Sequence, residues 1–354
     1  MGGIISQLCL LLVKNQCRPS VVANALTFAP PDPPYYELRS SAAGSAAGSD
    51  ALEWALDPLV AGSEFPGVKI WILKTALGSY IPAFFFAHPQ ATLTVLFSHG
   101  NAADCGAMRE RYIQLVRKLR VNVLAYDYTG YGASSGEPSE AHTYADICAA
   151  YDHLVARGIC QDPAKQIVLY GQSVGSGPSV KLASEPKKRP VRGLILHAPI
   201  LSGIRVLVAN RGPLACCDIY PNISRIPNVR APVLIIHGEQ DEDVGVHHGR
   251  QLQQKVPAEH RRDPLWVRGA GHNDIVENFP EQYYPAVGRF LRSLEADNDA
   301  EESAVTEVTL HAERRPLQPA PSRSQGQQQQ GQQQQGQQQQ QQQQATSESQ
   351  IVLG

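Results

Sequence analysis

The sequence predicts an α/β domain built on a doubly wound, mostly parallel sheet, and two observations support that fold class. Apolar runs of strand length alternate along the chain with segments of helix length, the order expected of strand–helix–strand units. The later apolar runs are continuous, as expected for strands that helices cover on both faces. Such sheets bind their ligands beyond the carboxyl ends of the strands, so we expect the chemistry in the loops that follow the strands.

Eight apolar runs are predicted as the strands of one sheet: 68–75, 80–87, 92–98, 121–127, 166–171, 191–198, 231–238 and 264–269. Five segments between or after them are of helix length: 105–119, 142–157, 174–185, 247–256 and 279–296. The stretch between the sixth and seventh strands, residues 199–230, is the only place for a lid, and it is short.

The ends of the chain differ in composition from this central domain, residues 66–297. Residues 1–38 begin with an apolar stretch about half as long as a membrane span and end in the proline-rich "FAPPDPPYYEL", which favours an extended surface segment. Residues 39–65 contain "SSAAGSAAGSD" and are predicted as a flexible linker or insert. Residues 298–354 become acidic and then glutamine-rich, a composition that cannot bury a core and predicts disorder.

Composition also bears on partners and cofactors. The 354 residues carry a formal net charge of −2, so there is no electrostatic reason to expect nucleic acid as a partner. The seven cysteines are scattered, which argues against a disulfide framework or a zinc site, and we expect no metal and no cofactor. No apolar run is long enough to predict a helix that spans a bilayer.

The stretch "LYGQSVGSG" (169–177) matches G-x-S-x-G, the turn that presents a serine nucleophile in α/β-hydrolases. Ser173 follows a predicted strand and opens a predicted helix, which is the context that this motif requires. Gly171 and Gly175 lie where a side chain would collide as strand and helix approach. The alternative is a glycine turn with an incidental serine. The context favours Ser173 as a nucleophile, with the start of the helix behind it favouring negative charge.

A serine needs a neighbouring base, and His272 is the candidate with both the order and the location. It lies in "RGAGHNDI", after the last predicted strand and before the last predicted helix. His99 and His237 also end strands, and we expect His99 to shape its loop and His237 to pack against the next one. His247 and His248 open a helix, where surface imidazoles are common.

The acid is expected between serine and histidine, because α/β-hydrolases follow the order Ser, Asp or Glu, His. Asp241, in "VLIIHGEQDEDV", lies in the loop beyond a buried strand and would orient the imidazole of His272. Asp243 and Glu242 are rivals in the same loop, and Asp241 is favoured over Asp243.

Two backbone N–H groups are predicted to form an oxyanion hole. One is that of Val174, directly after the nucleophile. The second is that of Asn101 or Ala102, in the loop "HGNAAD" (99–104) that follows the third predicted strand. The alternative for this loop is an ordinary glycine turn. The other three loops, which carry the serine, acid and histidine candidates, agree with a catalytic site and argue against that alternative.

With these loops in place, the sequence closely resembles the α/β-hydrolase domain-containing protein 17 family of membrane-associated serine hydrolases. The resemblance rests on "FSHGNAADCGAM", "YDYTGYGASSGEPSE", "TYADICAAY", "LYGQSVGSGPSV", "LHAPILSGIRV", "PVLIIHGEQDE" and "PLWVRGAGHNDI", which run through residues 90–295. It implies an α/β-hydrolase fold and a triad on Ser173, Asp241 and His272. It also implies palmitoyl-protein thioesterase activity, with S-palmitoylated membrane proteins as substrates.

The amino terminus is predicted to anchor the protein to the cytoplasmic face of a membrane, at the plasma membrane or endosomes. "MGGIIS" fits a myristoylation motif with Gly2 as acceptor. One myristoyl chain binds membranes only marginally, so a second signal is needed, and Cys9 and Cys17 are placed to be S-acylated. One competing interpretation is a secretory signal, but in this chain the basic residues follow the apolar core, whereas a signal peptide has them before it. The other is an apolar helix docked on the domain.

Three functions follow. The first is a membrane-anchored serine thioesterase that removes palmitate from cysteines of proteins. The second is a carboxylesterase or lipase with the same residues, and the third is an inactive scaffold, against which the intact triad argues. Five residues are candidates for an acyl groove, with ordinary loop and core positions as the alternative: Tyr128, Tyr131, Ile200, Leu201 and Leu207.

Overall fold

The computed structural model describes residues 19–40, 52–56, 65–207 and 218–313 of the chain. The chain divides into two units, Met1–Ala300 and Glu301–Gly354, and in the second unit the structure describes the helical residues 301–313. The predicted acylation sites Gly2, Cys9 and Cys17 lie outside the described residues.

The central sheet has eight strands within the described residues, and it confirms the predicted fold class. Its strands are β3 (Lys69–Lys74), β4 (Tyr80–Phe86), β5 (Thr94–Ser98), β6 (Asn122–Tyr126), β7 (Ile167–Gln172), β8 (Gly193–His197), β9 (Val233–Gly238) and β10 (Leu265–Val267). Their spatial order is β10-β9-β8-β7-β5-β6-β4-β3. The strands from β5 to β10 are parallel, whereas β4, near one edge, runs antiparallel to both of its neighbours, β3 and β6.

The helices are α1 (Pro19–Thr27), α2 (Arg109–Leu119), α3 (Glu140–Ala156), α4 (Pro163–Gln166), α5 (Ser176–Ala183), α6 (Gly203–Leu207), α7 (Asn222–Arg225), α8 (His247–Lys255), α9 (Ile275–Asn278) and α10 (Pro280–Glu313). The predicted boundary at residue 297 therefore falls inside the last helix. None of the helices in these ranges is both long and apolar enough to cross a membrane.

Both faces of the sheet are buried, which explains why the strand sequences are continuously apolar. Along β5, Leu96 packs into one apolar cluster, while Val95 and Phe97 pack into the cluster on the other face. Side chains of a strand alternate between the faces, so both must be apolar when helices cover both. The parallel strands end at one edge, and their loops meet there.

Within residues 39–65, predicted as a flexible linker or insert, Leu52–Leu56 forms a strand, β2. It pairs antiparallel with β1, Tyr36–Ser40, from the amino-terminal segment. Tyr36, the first residue of β1, is only 3% exposed and packs edge-on against Phe84, with ring centroids 5.3 Å apart. An aromatic side chain therefore attaches the proline-rich segment to the core of the domain. From its prolines alone, the segment was expected to lie extended on the surface.

Candidate active site

Ser173 lies on a sharp turn between β7 and α5, where the sequence predicts it. Its backbone is left-handed, with φ of +52°, a strained conformation for a residue with a side chain. The close approach of strand and helix explains the glycines on either side. A Cβ atom at Gly171 would lie 2.6 Å from the carbonyl oxygen of Gly175, and one at Gly175 would overlap the carbonyl oxygen of Ser98.

The structure brings Ser173, His272 and Asp241 into one hydrogen-bonded chain. His272 Nε2 lies 3.0 Å from Ser173 Oγ, and His272 Nδ1 lies 2.7 Å from Asp241 Oδ2. A carboxylate only accepts hydrogen bonds, so the Nδ1 proton of His272 points to Asp241 and Nε2 is left to accept the serine proton. The three residues come from loops after β7, β9 and β10. Their side chains are in the geometry that activates a serine.

Asp241 is held from three sides, whereas its rivals Asp243 and Glu242 are exposed. Its Oδ1 accepts the backbone N–H groups of Val244, at 2.7 Å, and of Asp243, at 3.0 Å. Its Oδ2 lies 3.2 Å from His237 Nε2, so His237 packs against this loop as the sequence predicts. Burial raises the pKa of Asp241, but the hydrogen bonds from His237 and His272 and the charge of His272 outweigh burial and lower it. The carboxylate therefore stays ionised beside the imidazole.

The predicted oxyanion loop, residues 99–104, lies beside the nucleophile. Asn101 and Val174 line the same pocket as Ser173, and Ala102 has a left-handed backbone with φ of +52°. A Cβ atom at Gly100 would lie 3.9 Å from Ser173 Cβ, so the backbone of the loop passes close to the nucleophile. Asn101 and Val174, two of the residues predicted to supply donor N–H groups, thus lie beside Ser173 in this pocket.

The pocket at Ser173 has a volume of about 150 Å³, and apolar side chains make up much of its lining: Val174, Ile200, Val206 and Val244. Of the predicted groove residues, Ile200 is one of these. Tyr128 and Tyr131 are instead buried behind the oxyanion loop, where their hydroxyls donate to the carbonyl oxygen of His99 and to Asn101 Oδ1. They support the loop and do not face the groove. Leu201 is buried, and the side chain of Leu207 is outside the described residues.

The remaining predicted histidines have structural contacts. His99 is buried with Nδ1 2.8 Å from the carbonyl oxygen of Gly100, so it shapes its own loop. His248 corrects the expectation of a surface imidazole: it is 1% exposed, and its Nδ1 accepts the N–H of Leu201 at 3.0 Å. Burial, with the charges of His247 and His237, lowers the pKa of His248 to about 4.

Sequence reasoning missed a polar contact beneath the nucleophile. Ser176 Oγ donates to the carbonyl oxygen of Ser173 at 2.6 Å and accepts from Asn222 Nδ2 and from the N–H of Ile200, both at 3.2 Å. Asn222 is fully buried and comes from the region predicted as a lid. The spacing of Ser176 from Ser173 was visible in the sequence, but no local signal pointed to Asn222.

Across the described part of the chain, no group of three or more His, Cys, Asp or Glu residues is arranged to hold a metal ion. The polar groups at the site include the serine, the imidazole and the carboxylate, and Asn101 and Thr27 in the lining of the pocket. That set is suited to nucleophilic attack on an acyl group.

Known proteins resemble the chain over most of its length. A family model described as serine aminopeptidase, S33, matches residues 89–216, a range that contains Ser173. Alpha/beta hydrolase domain-containing protein 17B from Homo sapiens is 40% identical over 278 residues, which cover 76% of this chain and 91% of that protein. Alpha/beta hydrolase domain-containing protein 17C from Xenopus laevis is 39% identical over 306 residues, which cover 82% and 95% respectively.

A solved structure shares the fold. An esterase from Pyrococcus furiosus superposes with a TM-score of 0.55 at 21% identity, over 66% of this chain and 96% of the esterase. At that identity the likeness concerns the architecture of the sheet and its helices alone.

Proposed function

Because this chain belongs to the α/β hydrolase domain-containing protein 17 family and is a serine hydrolase, we propose that it removes palmitate from S-acylated cysteines of proteins. The observation that carries the proposal is the hydrogen-bonded chain from Ser173 through His272 to Asp241. This arrangement supports acyl transfer, and the family supports the choice of a protein thioester as the substrate.

In the first step Ser173 Oγ attacks the carbonyl carbon of the thioester while its proton moves to His272 Nε2. Asp241 stabilises the imidazolium that forms, and its lowered pKa suits that role. The carbonyl oxygen becomes an oxyanion, for which we assign the N–H of Val174 and that of Asn101 or Ala102 as donors. Collapse of the tetrahedral intermediate breaks the carbon–sulfur bond, and the cysteine sulfur leaves with the proton from His272.

In the second step a water molecule replaces the thiol. His272 takes a proton from the water, whose oxygen attacks the acyl-enzyme, and a second tetrahedral intermediate forms in the same oxyanion hole. Its collapse returns the proton to Ser173 Oγ and releases the fatty acid. The enzyme is regenerated without a cofactor.

We further propose that acylation of Gly2, together with Cys9 or Cys17, holds the enzyme at the cytoplasmic face of a membrane. The physical support is that one acyl chain binds marginally and two bind stably, and that the substrates are themselves lipid-anchored. The partners are then S-palmitoylated membrane proteins and the membrane surface.

A second candidate function is hydrolysis of short-chain esters, and the size of the groove favours it. The pocket at Ser173, about 150 Å³, is smaller than the ~300–1,000 Å³ common for ligand sites. It would hold a short acyl group more completely than a palmitoyl chain.

The deciding experiment measures palmitate release from S-palmitoylated peptides, with aryl and glycerol esters compared at equal acyl length. We expect preference for the thioester, and loss of both turnover and fluorophosphonate labelling in Ser173→Ala. Ser134→Ala, a serine on another loop, is the matched control and should keep both. Equal or faster turnover of the oxygen esters would overturn the depalmitoylase proposal and favour the esterase.

The anchor is tested by fractionating cells that express the full chain. Gly2→Ala should move the protein from the membrane to the soluble fraction, and Gly3→Ala should leave it on the membrane. Unchanged partitioning of Gly2→Ala would contradict acylation at this residue.

A further inference from the structure

The side chain of Asn101, on the oxyanion loop, is held by the amino-terminal segment that precedes the sheet. Its Nδ2 donates to the carbonyl oxygen of Thr27 at 2.6 Å, and its Oδ1 accepts the N–H of Ala29 at 3.0 Å. The hydroxyl of Tyr131 completes the contact, since it donates to Asn101 Oδ1 at 2.7 Å and lies 3.1 Å from the N–H of Ala29. Both ends of one amide are therefore bound by the backbone of residues more than 70 positions earlier in the chain.

The same segment contacts the far end of the loop. The N–H of Tyr35 donates to Asp104 Oδ2 at 2.7 Å. The hydroxyl of Tyr36 donates to Asp127 Oδ2, while Asp127 Oδ1 accepts the N–H of Cys105 at 2.8 Å. Residues 27–36, named here the clamp segment, thus contact the oxyanion loop near its start, at Asn101, and at its last residue, Asp104.

Two aromatic residues fix the clamp segment to the domain. Phe28 is 9% exposed and packs edge-on against Tyr131 and Tyr220, with ring centroids 6.5 and 6.2 Å apart. Tyr36 is buried at the other end. The contact there is close, because a Cβ atom at Gly132 would overlap Asp127 Oδ2 and lie 2.6 Å from the Tyr36 hydroxyl oxygen. Packing at both ends keeps the backbone of residues 27–29 against Asn101.

We propose that the clamp segment positions the oxyanion hole, and that Asn101 is the positioning residue through which it acts. This inference rests on the proposed function, in which an N–H of Asn101 or Ala102 stabilises the oxyanion. Ala102 has a left-handed backbone, a conformation that persists only where surrounding contacts hold it. The bonds to the Asn101 amide hold the residue directly before it. The segment that joins the proposed membrane anchor to the enzyme is then also a part of the active site.

The first test is Asn101→Ala in the full chain, which removes the side-chain amide and keeps the backbone N–H. Loss of an oxyanion donor costs ~10²–10³ in turnover. In Asn101→Ala the backbone N–H stays and is only held less firmly, and the side chain that is lost is an exposed one. We therefore expect a smaller loss, with kcat falling roughly 10-fold. KM for a soluble aryl butyrate and the melting temperature should change little. The rate of fluorophosphonate labelling should fall with kcat.

Asn122→Ala is the matched control. Asn122 also accepts a backbone N–H with Oδ1, from His88 at 2.9 Å, and donates with Nδ2, to Thr94 Oγ1 at 3.3 Å. It lies at the start of β6, whereas the site lies beyond the strand ends. Its variant should keep the wild-type kcat and labelling rate.

A double-mutant cycle tests whether the contact with the clamp acts through Asn101. Tyr131→Phe keeps the buried ring and removes the hydroxyl that binds Asn101 and Ala29. We expect it to lower kcat roughly 3-fold in the wild type and to have no further effect in Asn101→Ala, because coupled residues are not additive. Tyr151→Phe, which loses a hydroxyl bond to the carbonyl oxygen of Pro190, is the control and should keep the wild-type rate.

The outcomes separate the two proposals. Wild-type labelling rates in folded Asn101→Ala, or an equal loss in Asn122→Ala, would overturn the positioning role and leave the serine hydrolase intact. Additive effects of Asn101→Ala and Tyr131→Phe would also overturn it. A wild-type protein that is not labelled at all would contradict the proposed function and, with it, the role of the clamp.

Discussion

Two buried aspartates, Asp241 and Asp127, have nearly the same surroundings, but their hydrogen bonds lead to different parts of the molecule. Each follows a parallel strand, and each side chain is fully buried. Each lies near a buried histidine, with His237 Nε2 3.2 Å from Asp241 and His99 Nε2 3.4 Å from Asp127. Each also accepts a backbone N–H from a nearby loop.

The difference lies in the partner on the second carboxylate oxygen. Asp241 Oδ2 binds the imidazole of His272, whose side chain is 11% exposed and whose other nitrogen reaches Ser173. Asp127 Oδ2 binds the hydroxyl of Tyr36, which in turn accepts the N–H of Ala133 at 3.1 Å. One chain of hydrogen bonds ends at Ser173 in a pocket, and the other ends in backbone. Two buried carboxylates in similar surroundings thus differ in what their partner contacts next.

The largest effect is expected at the first aspartate. Asp241→Asn keeps the shape of the side chain but favours the wrong tautomer of His272, so kcat should fall ~10⁴-fold. Steady-state kinetics on a thioester substrate measure the loss, and thermal unfolding should show the variant folded. Asp243→Asn is the control, since Asp243 is exposed and should keep the wild-type kcat. An Asp241→Asn enzyme with a tenth or more of wild-type kcat would show that Asp241 does not orient His272.

The second aspartate should affect stability more than chemistry. Asp127→Asn turns an acceptor into a donor toward the Tyr36 hydroxyl, which leaves a buried polar group poorly paired. The free energy of unfolding should fall by about 2 kcal/mol, measured by urea denaturation. Asp127 contacts neither His272 nor Ser173. The kcat of Asp127→Asn should therefore be more than ~10²-fold higher than that of Asp241→Asn. Similar losses of kcat in the two variants would erase the distinction between these sites.

The smallest effect concerns His248, a buried imidazole that accepts a backbone N–H. Its pKa of about 4 in the folded protein lies below the ~6.5 of an unfolded chain. The unfolded state therefore binds the proton more tightly, and stability is complete above pH 6.5 and lost as the pH falls from 6.5 toward 4. Between pH 7 and pH 5.5 this loss is about 1 kcal/mol. Urea denaturation at both values should show a smaller loss in His248→Gln, and an equal loss would assign the pH dependence to other groups.

The sequence predicted the parts of the site that local motifs carry. Ser173 was predicted from a strand, a glycine-flanked turn and a helix start, all within about twelve residues. His272 was predicted from its place after the last strand. The sequence favours Asp241 but leaves Asp243 and Glu242 as rivals in the same loop. The structure separates them, because the side chain of Asp241 turns inward and accepts the Val244 N–H.

Contacts between distant segments were beyond the sequence. Tyr128 and Tyr131 are aromatic residues near the site, and only packing shows that they lie behind the oxyanion loop and not in the groove. His248 follows an exposed histidine at the start of a helix, and its burial against Leu201 depends on the chain between β8 and β9. In each case the side chain is of a type that is common at the surface and in the core.

Local patterns in the sequence are enough to predict the fold class, the order of serine, acid and base, and two loops as the source of the oxyanion donors. These depend on hydrophobic periodicity and on turns, which a dozen neighbouring residues specify. The folded chain shows in addition that Asp241 is the acid that meets His272, and that the segment at residues 27–36 binds the amide of Asn101. The physical reason is that a hydrogen bond between residues 72 positions apart depends on how the whole sheet packs. No spacing along the chain encodes it.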